Sequence, residues 1–397
     1  MTGIFDPIHS NPVSPLDCCP GCSSSDLGAD FFIPNQPVIL NYRFNTADAA
    51  RGVERRDIFL RECNVCGLVF NSILDVGAIP YDANYENRQN FSASFLAMLE
   101  QTADELTARH LSEDSTVLEV GCGKGDFLEL ICKRANCRGL GFDTSCEENG
   151  TKPEGKVAYF QRYVTAQDVT EKIDLIVCRH VVEHVPQIGE FFQLLHRLAS
   201  VGGGSSVYVE TPSLEWIVDR RAFWDIFYEH CNYFTPRTLL QLAESAGFEI
   251  LNHQIIFGGQ YQSLELRPSG ANTNRPWTRD RVVPLLGCFT EGIRSSHHDL
   301  VLRLGDAGFK DGWAIWGAGA KGVSLAGALQ NPPASFVVDS NPAKQGSFIP
   351  GTSIPVVPPT DARIGQIAVV LIANPNYATE VCESLAGCNF YPRIVSL

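Results

Sequence analysis

The stretch "STVLEVGCGKGDFLELICKRA", residues 115–135, constrains the fold more than any other part of the chain. An apolar run ends at Glu119 and Val120, glycines follow at Gly121, Gly123 and Gly125, and an amphipathic pattern begins at once. This predicts a buried strand, a tight turn and a helix. Glycines without Cβ atoms let the turn approach a ligand closely, and a parallel sheet aims such a turn at the crevice beyond its strand ends.

The alternation continues downstream. "CRGLGFDTS" reads as a second strand ending in Asp143, "VAYFQRYV" as a third, "IDLIVCRHVVEHV" as a fourth and "GGSSVYVETPS" as a fifth. Strands alternating with helical patterns predict a doubly wound parallel sheet. "RTLLQLAESAGFEI" is a late helix and strand. After a polar boundary at 267–280, "GWAIWGAGAKGVSLAGAL" repeats the strand, glycine turn and helix, and "ASFVVDSNPAKQG" gives a strand ending in Asp339.

The N-terminal part is different. Cys19-Pro-Gly-Cys22 and Cys63-Asn-Val-Cys66 are two C-x2-C knuckles, whose thiolates complete a tetrahedral Zn–S4 shell with no open position, so the zinc is expected to be structural. Cys18 is a spare neighbour. "FFIPNQPVILNYRF", between the knuckles, reads as strands with a proline-marked turn. A linker at 81–95 carries Tyr81 and Tyr85, four apart, either on one helical face above a pocket or in a domain-docking segment. An amphipathic helix follows it. The boundaries that result are 1–79 for the zinc-binding module, 80–266 for the main α/β domain and 267–397 for a C-terminal α/β domain.

A chain of 397 residues exceeds one ordinary core, and 44% hydrophobic with 19% charged residues describes a soluble globular protein. The formal charge of −14 argues against nucleic acid as a partner, whose phosphates would be repelled over most of the surface. An anionic small molecule would need a locally built site. No apolar run reaches the roughly 18–20 residues that span a bilayer. The N-terminus shows no export pattern, so the 14 cysteines read as reduced thiols in a cytoplasm. A monomer or a homodimer is expected.

"EVGCGKG" at 119–125 matches the first motif, E/D-x-G-x-G-x-G, of class I S-adenosylmethionine-dependent methyltransferases. The resemblance implies a cofactor site at Glu119, Gly121, Gly123 and Gly125, with Asp143 accepting hydrogen bonds from the ribose hydroxyls. A nicotinamide dinucleotide would use the same acid, but Glu119 and the "VVEHVP" string at 181–186 favour the methyltransferase. Gln161 falls at the adenine and His180 at the end of the fourth strand, while His184 reads as a structural loop residue. The implied fold is α/β: a class I methyltransferase Rossmann-like doubly wound sheet, with a small N-terminal zinc-binding module and a C-terminal Rossmann-like α/β domain.

The knuckles, this core, "WDIFYEHCNYFT" at 224–235 and "VVDSNPAKQGSFIPGTSIPVVPP" together resemble the sugar C-methyltransferases, which methylate carbon 3 of nucleotide-linked 4-keto deoxysugars. The resemblance implies that His230 removes a proton beside a ketone and that Glu229 orients it or a substrate hydroxyl. A near-neutral imidazole and donors for an enolate oxygen are what this chemistry requires. The family string Tyr-x-Glu-His has Phe227 in place of its tyrosine here, so Tyr228, Tyr81, Tyr85 or Tyr233 is left to supply the donor, or the acceptor differs. An O- or N-methyltransferase acting on a non-sugar metabolite is the alternative. "GAGAKG" also fits a dinucleotide turn. Handling of a nucleotide-diphosphate substrate by Gly317, Gly319, Lys321 and Lys344, or a purely structural turn, are the other readings. Gln260 resembles a residue of the acceptor pocket.

Overall fold

The computed structural model describes residues 14–397, apart from 83, 148, 152–154, 270–276 and 278–284. The N-terminal leader and most of the 267–280 boundary therefore lie outside the described residues. The described residues build three sheets. The first begins with β1 (Leu27–Pro37), short helix α1 (Ala47–Arg51), β2 (Arg55–Cys63) and β3 (Val69–Asn71), antiparallel throughout. β1 does not turn at its proline: Asn35 takes a left-handed φ of 58° and the strand continues past a register shift. Tyr81 and Tyr85 are not helical either; they lie in irregular chain ahead of α2 (Ala93–His110), with their rings edge-on at 5.2 Å.

The main sheet contains β4 (Thr116–Val120), β5 (Arg138–Phe142), β6 (Gly150–Thr151), β7 (Val157–Phe160), β8 (Leu175–Arg179) and β9 (Ser206–Pro212). Its helices are α3 (Asp126–Ala135) after β4 and α4 (Ile188–Val201) before β9. Beyond α5 (Leu214–Asp219), β10 (Asn232–Tyr233) leaves this sheet and pairs with β3 of the first one. Then come α6 (Pro236–Ser245), β11 (Phe248–Ile256) and β12 (Tyr261–Pro268). The strand order is β11-β12-β9-β8-β4-β5-β7-β6, and β12 inserts antiparallel to both its neighbours. A parallel sheet with one late antiparallel strand placed inside its edge is the class I methyltransferase topology that the sequence implies.

The last unit opens with α7 (Leu286–Ala307), then β13 (Trp313–Trp316), α8 (Ala320–Ala328), β14 (Phe336–Val338), β15 (Val356–Val357), β16 (Val369–Ile372), α9 (Ala378–Gly387) and β17 (Arg393–Ser396). Its sheet is parallel in the order β15-β14-β13-β16-β17. In both α/β sheets the first strand sits in the middle and the chain winds outward on either side. Each sheet therefore has a crevice where strand order reverses, beside β4 and beside β13.

The N-terminal module does not stand apart. Cys19, Cys63, Cys66 and Leu68 pack in one core with Leu239 and Leu242 of α6, while Phe31 meets Phe289 of α7 at 5.9 Å. The Glu62 carboxylate accepts the main-chain N–H groups of Leu285 and Leu286 at the start of α7. A carboxylate is favoured at a helix N-terminus. Among the described residues, no helix is long and apolar enough to cross a membrane.

One glycine controls the second crevice. A Cβ at Gly322 would lie 1.8 Å from the carbonyl oxygen of Gly317, so α8 can follow its turn closely only without a side chain there. Gly322→Ala is expected to destabilise by about 1–3 kcal/mol or more, as overpacking does. Gly327→Ala, whose Cβ meets nothing within 4 Å, should leave the melting temperature within a degree or two of the parent, roughly the scale of a neutral helix-surface change. Equal melting curves for the two variants would contradict this packing.

Candidate active site

The two crevices open into one cleft of about 320 Å³, lined by Gly121–Lys124 from the first and Gly317 and Gly319–Gly322 from the second. At the first, Gly121, Gly123 and Gly125 all have positive φ. A Cβ at Gly121 would strike Val181 at 2.2 Å and one at Gly125 the Tyr159 hydroxyl at 2.1 Å. At Gly123 the nearest atom would be 3.8 Å away, so this position leaves a cradle open beside main chain. Asp143 is tied into the turn: its Oδ2 accepts from Gly123 N and its Oδ1 from Ser145 N and Oγ. Glu119 lines the cleft, fully buried, and burial pushes its carboxyl up to about 8. Its Oε2 has no hydrogen-bond partner among the described residues. A buried acceptor left unmatched is costly until a donor arrives, and the ammonium of an amino-acid ligand is such a donor.

His180 lines the same wall with a left-handed φ of 52°. Its ring nitrogens lie 2.9 Å from Glu210 Oε1 and 3.4 Å from Glu183 Oε1. Burial alone would lower this imidazole, but the two carboxylates raise it to about 9. Gln161 lies outside the cleft lining, where its amide donates to the Cys146 carbonyl at 3.0 Å.

His230 faces the cleft from the chain between β9 and β10. Its ring stands edge-on to His184 at 4.7 Å and to Phe227 at 4.8 Å. Burial, reinforced by the neighbouring His184, lowers the imidazole to about 3, and Glu183 opposes the shift. The ring is thus neutral and carries a free lone pair, but it is a weaker base than the near-neutral one expected from sequence. His184 Nδ1 lies 2.9 Å from the Glu229 carbonyl oxygen and 3.1 Å from the Tyr81 hydroxyl. An Nδ1–H donated to that carbonyl leaves Nε2 as the lone-pair nitrogen. Glu183, His184 and His230 bring a carboxylate oxygen and two ring nitrogens within 4.8 Å of one another.

Several expectations change. The Glu229 carboxylate does not reach the His230 imidazole: it accepts from Leu40 N and from the Tyr85 hydroxyl at 2.6 Å, buried between module and linker. The carboxylate that supports the imidazole is Glu183, which His180 helps hold near 2 against the opposing effect of burial. Tyr228 does not line the cleft, and its hydroxyl accepts from Asp75 N. The Tyr233 hydroxyl lies between the N–H and carbonyl of Phe227. His184, read from sequence as a structural loop residue, ends a short 3-10 turn and lines the cleft beside His230. The signal was present in "VVEHVP", where Glu183 and His184 follow the fourth strand into the crevice.

The C-terminal turn is largely saturated. Asp339 accepts from Ala318 N, and buried Lys344 donates to the Ala318 carbonyl at 3.1 Å and to Asn41. Lys321 pairs with Asp225 rather than standing open for phosphate. Gln260 lines the cleft, donating to the Tyr261 hydroxyl and accepting from Asn376. Arg88, at the cleft wall beside Glu86, is a cation that sequence reasoning missed.

The fold, the glycine cradle and the unmatched Glu119 define an S-adenosylmethionine-dependent methyltransferase. Residues 88–253 match the family model described as a methyltransferase domain, and residues 284–390 that of a C-methyltransferase C-terminal domain. The chain is similar to the C-methyltransferase NovU of Streptomyces niveus, 26% identical over 69% of this chain and 70% of that protein. The two domain matches in this order and the likeness to NovU together support an S-adenosylmethionine-dependent C-methyltransferase. A ubiquinone biosynthesis O-methyltransferase of Pseudomonas paraeruginosa is 31% identical over 22% of this chain, covering 41% of its own length. The solved structure of the cyclopropane synthase MmaA2 from Mycobacterium tuberculosis aligns with 49% of this chain and 91% of its own, at 14% identity and a TM-score of 0.35. That likeness is too slight to carry an argument.

Gly125→Ala should weaken S-adenosylhomocysteine binding about tenfold or more, since a strained left-handed residue costs about 1–3 kcal/mol. Calorimetric titration reads this directly. Parental affinity would show that the turn does not carry the cofactor.

Proposed function

We propose that this enzyme methylates a carbon beside a carbonyl, in a nucleotide-linked 4-keto deoxysugar, with His230 as the base. The observation that carries the reading is the neutral His230 imidazole, exposed to the cleft that also holds the glycine cradle. Bound S-adenosylmethionine supplies an electrophilic methyl group. His230 takes the proton from the acceptor carbon, and the freed electron pair passes to the carbonyl oxygen. His184, oriented by the Glu229 carbonyl and Tyr81, holds the His230 ring on its edge. The aromatic wall of Phe227 and Tyr85 limits the entry of water. As the electron pair returns to carbon, the C–CH3 bond forms and S-adenosylhomocysteine leaves. Glu119, Gly121, Gly123, Gly125 and Asp143 hold the cofactor in this reading, with His180 flanking it; Gln161, expected at the adenine, stands outside the cleft lining. Arg88 suits a diphosphate at the cleft wall.

The same reading divides the chain at 1–79, 80–266 and 267–397 and places it in the cytoplasm, where its buried thiols stay reduced. Zinc fits the N-terminal cysteines: Cys19 and Cys66 have sulfurs 3.6 Å apart, Cys22 and Cys63 3.5 Å, close to the edge of a tetrahedron with Zn–S bonds of about 2.3 Å. Four sulfurs close the shell, so the ion supports the fold and no reaction step passes through it.

His230→Ala should lower turnover by about 10²–10⁴-fold, the usual contribution of a general base, with calorimetric S-adenosylhomocysteine affinity unchanged. Loss of cofactor affinity instead would remove His230 from the acceptor side. Strong chelation of zinc should lower the melting temperature and expose Cys66 to thiol reagents, and magnesium should restore neither. Recovery with magnesium would contradict a closed sulfur shell.

A further inference from the structure

The base described above is weak, so enolate formation depends heavily on what receives the charge at the carbonyl oxygen. Phe227 has no hydroxyl to offer. Of the tyrosines that sequence leaves as substitutes, Tyr85 lines the cleft but spends its hydroxyl proton on Glu229, while Tyr81, Tyr228 and Tyr233 do not line it.

A cation reaches the same space from the other crevice. Lys321, in the first turn of α8, points its Nζ across the cleft to Asp225 Oδ1, 5.2 Å from the centre of the Trp216 ring. Lys321, Asp225, Phe227 and His230 all line the cleft. The Lys321 charge is felt at the His230 imidazole, which it lowers further. Burial lowers the ammonium of Lys321, making it a stronger donor. Among the described residues, Asp225 Oδ2 is buried without a hydrogen-bond partner, so the carboxylate that holds the lysine has an acceptor left for a hydroxyl.

We propose that Lys321 is the electrophile of the acceptor site: its ammonium, held by Asp225, donates to the acceptor's carbonyl oxygen and stabilises the enolate. This rests on the C-methylation reading above. As His230 takes the C–H proton, the electron pair moves onto the oxygen facing Lys321. When that pair forms the C–CH3 bond, the C=O bond is restored and Lys321 keeps its proton. Lys321 is therefore a catalytic residue, and Asp225 a positioning residue that also meets a substrate hydroxyl. A preorganised donor of this kind is worth about 10²–10³-fold in kcat.

The test uses the full-length enzyme with S-adenosylhomocysteine in D2O and dTDP-4-keto-6-deoxy-D-glucose as probe, following deuterium incorporation beside the ketone by NMR. Lys321→Met should slow exchange by about 10²-fold or more in the saturated rate, with KM for the probe changed little. Lys321→Arg, which keeps the charge, should restore exchange to within about tenfold of the parent. Lys321→Gln serves if the Met variant does not fold, and the same slowing is expected. Exchange at the parental rate in Lys321→Met or Lys321→Gln, or a loss confined to KM, would overturn the role of Lys321 while leaving the methylation reading standing. Absence of exchange in the parent enzyme would overturn the keto-sugar reading, and this inference with it.

Discussion

The Glu229 carboxylate is the interaction on which the rest of the site depends. It is buried, and burying an ionisable group is unfavourable unless strong hydrogen bonds satisfy it. One oxygen accepts from Leu40 N in the N-terminal module and the other from the Tyr85 hydroxyl in the linker. Its own carbonyl accepts from His184, in the turn that follows β8. Three distant segments thus meet at the residue preceding His230. The module's sheet extends the same stitching, because β10 pairs with β3 and Cys231 N donates to the Glu183 carbonyl. The cysteine-rich module is therefore part of the wall that aims the imidazole.

A second constraint is dielectric. The cleft joins two topological switch points, and the aromatic side chains between them exclude water from ionisable groups. Burial raises the Glu119 carboxyl there, and burial beside His184 lowers the His230 imidazole even though Glu183 opposes the shift. His180, between two carboxylates, goes the other way. Two histidines from one neighbourhood are thus set apart, one held charged and one held neutral. A neutral imidazole fits proton abstraction, and its weakness transfers the burden to the oxygen side, where Lys321 and Asp225 lie.

Local pattern carried the architecture well. The three glycines after β4, the repeated glycine turn after β13 and the alternation of strands with helices were legible because each is a pattern among neighbours in sequence. Convergence of distant segments was not. Lys321 reads in sequence as a candidate partner for a nucleotide diphosphate, with a purely structural turn as the alternative. Only the packing of α8 against the chain before Phe227 brings it to Asp225. Tyr228 reads as a donor beside the base, but the module's core takes its side chain. Glu183, adjacent to a histidine in a visible string, was the readable clue that sequence analysis left unused.

The central claim is that a C–H bond beside a carbonyl is broken by His230 before the methyl group arrives. The most direct measurement is mass spectrometry of product from a keto-sugar acceptor deuterated at the carbon beside its ketone. The account predicts that the product gains a methyl group at that carbon and loses its deuterium. A methylated product that retains the label would place the methyl on oxygen or nitrogen, and the carbanion chemistry assigned to the cleft would be wrong.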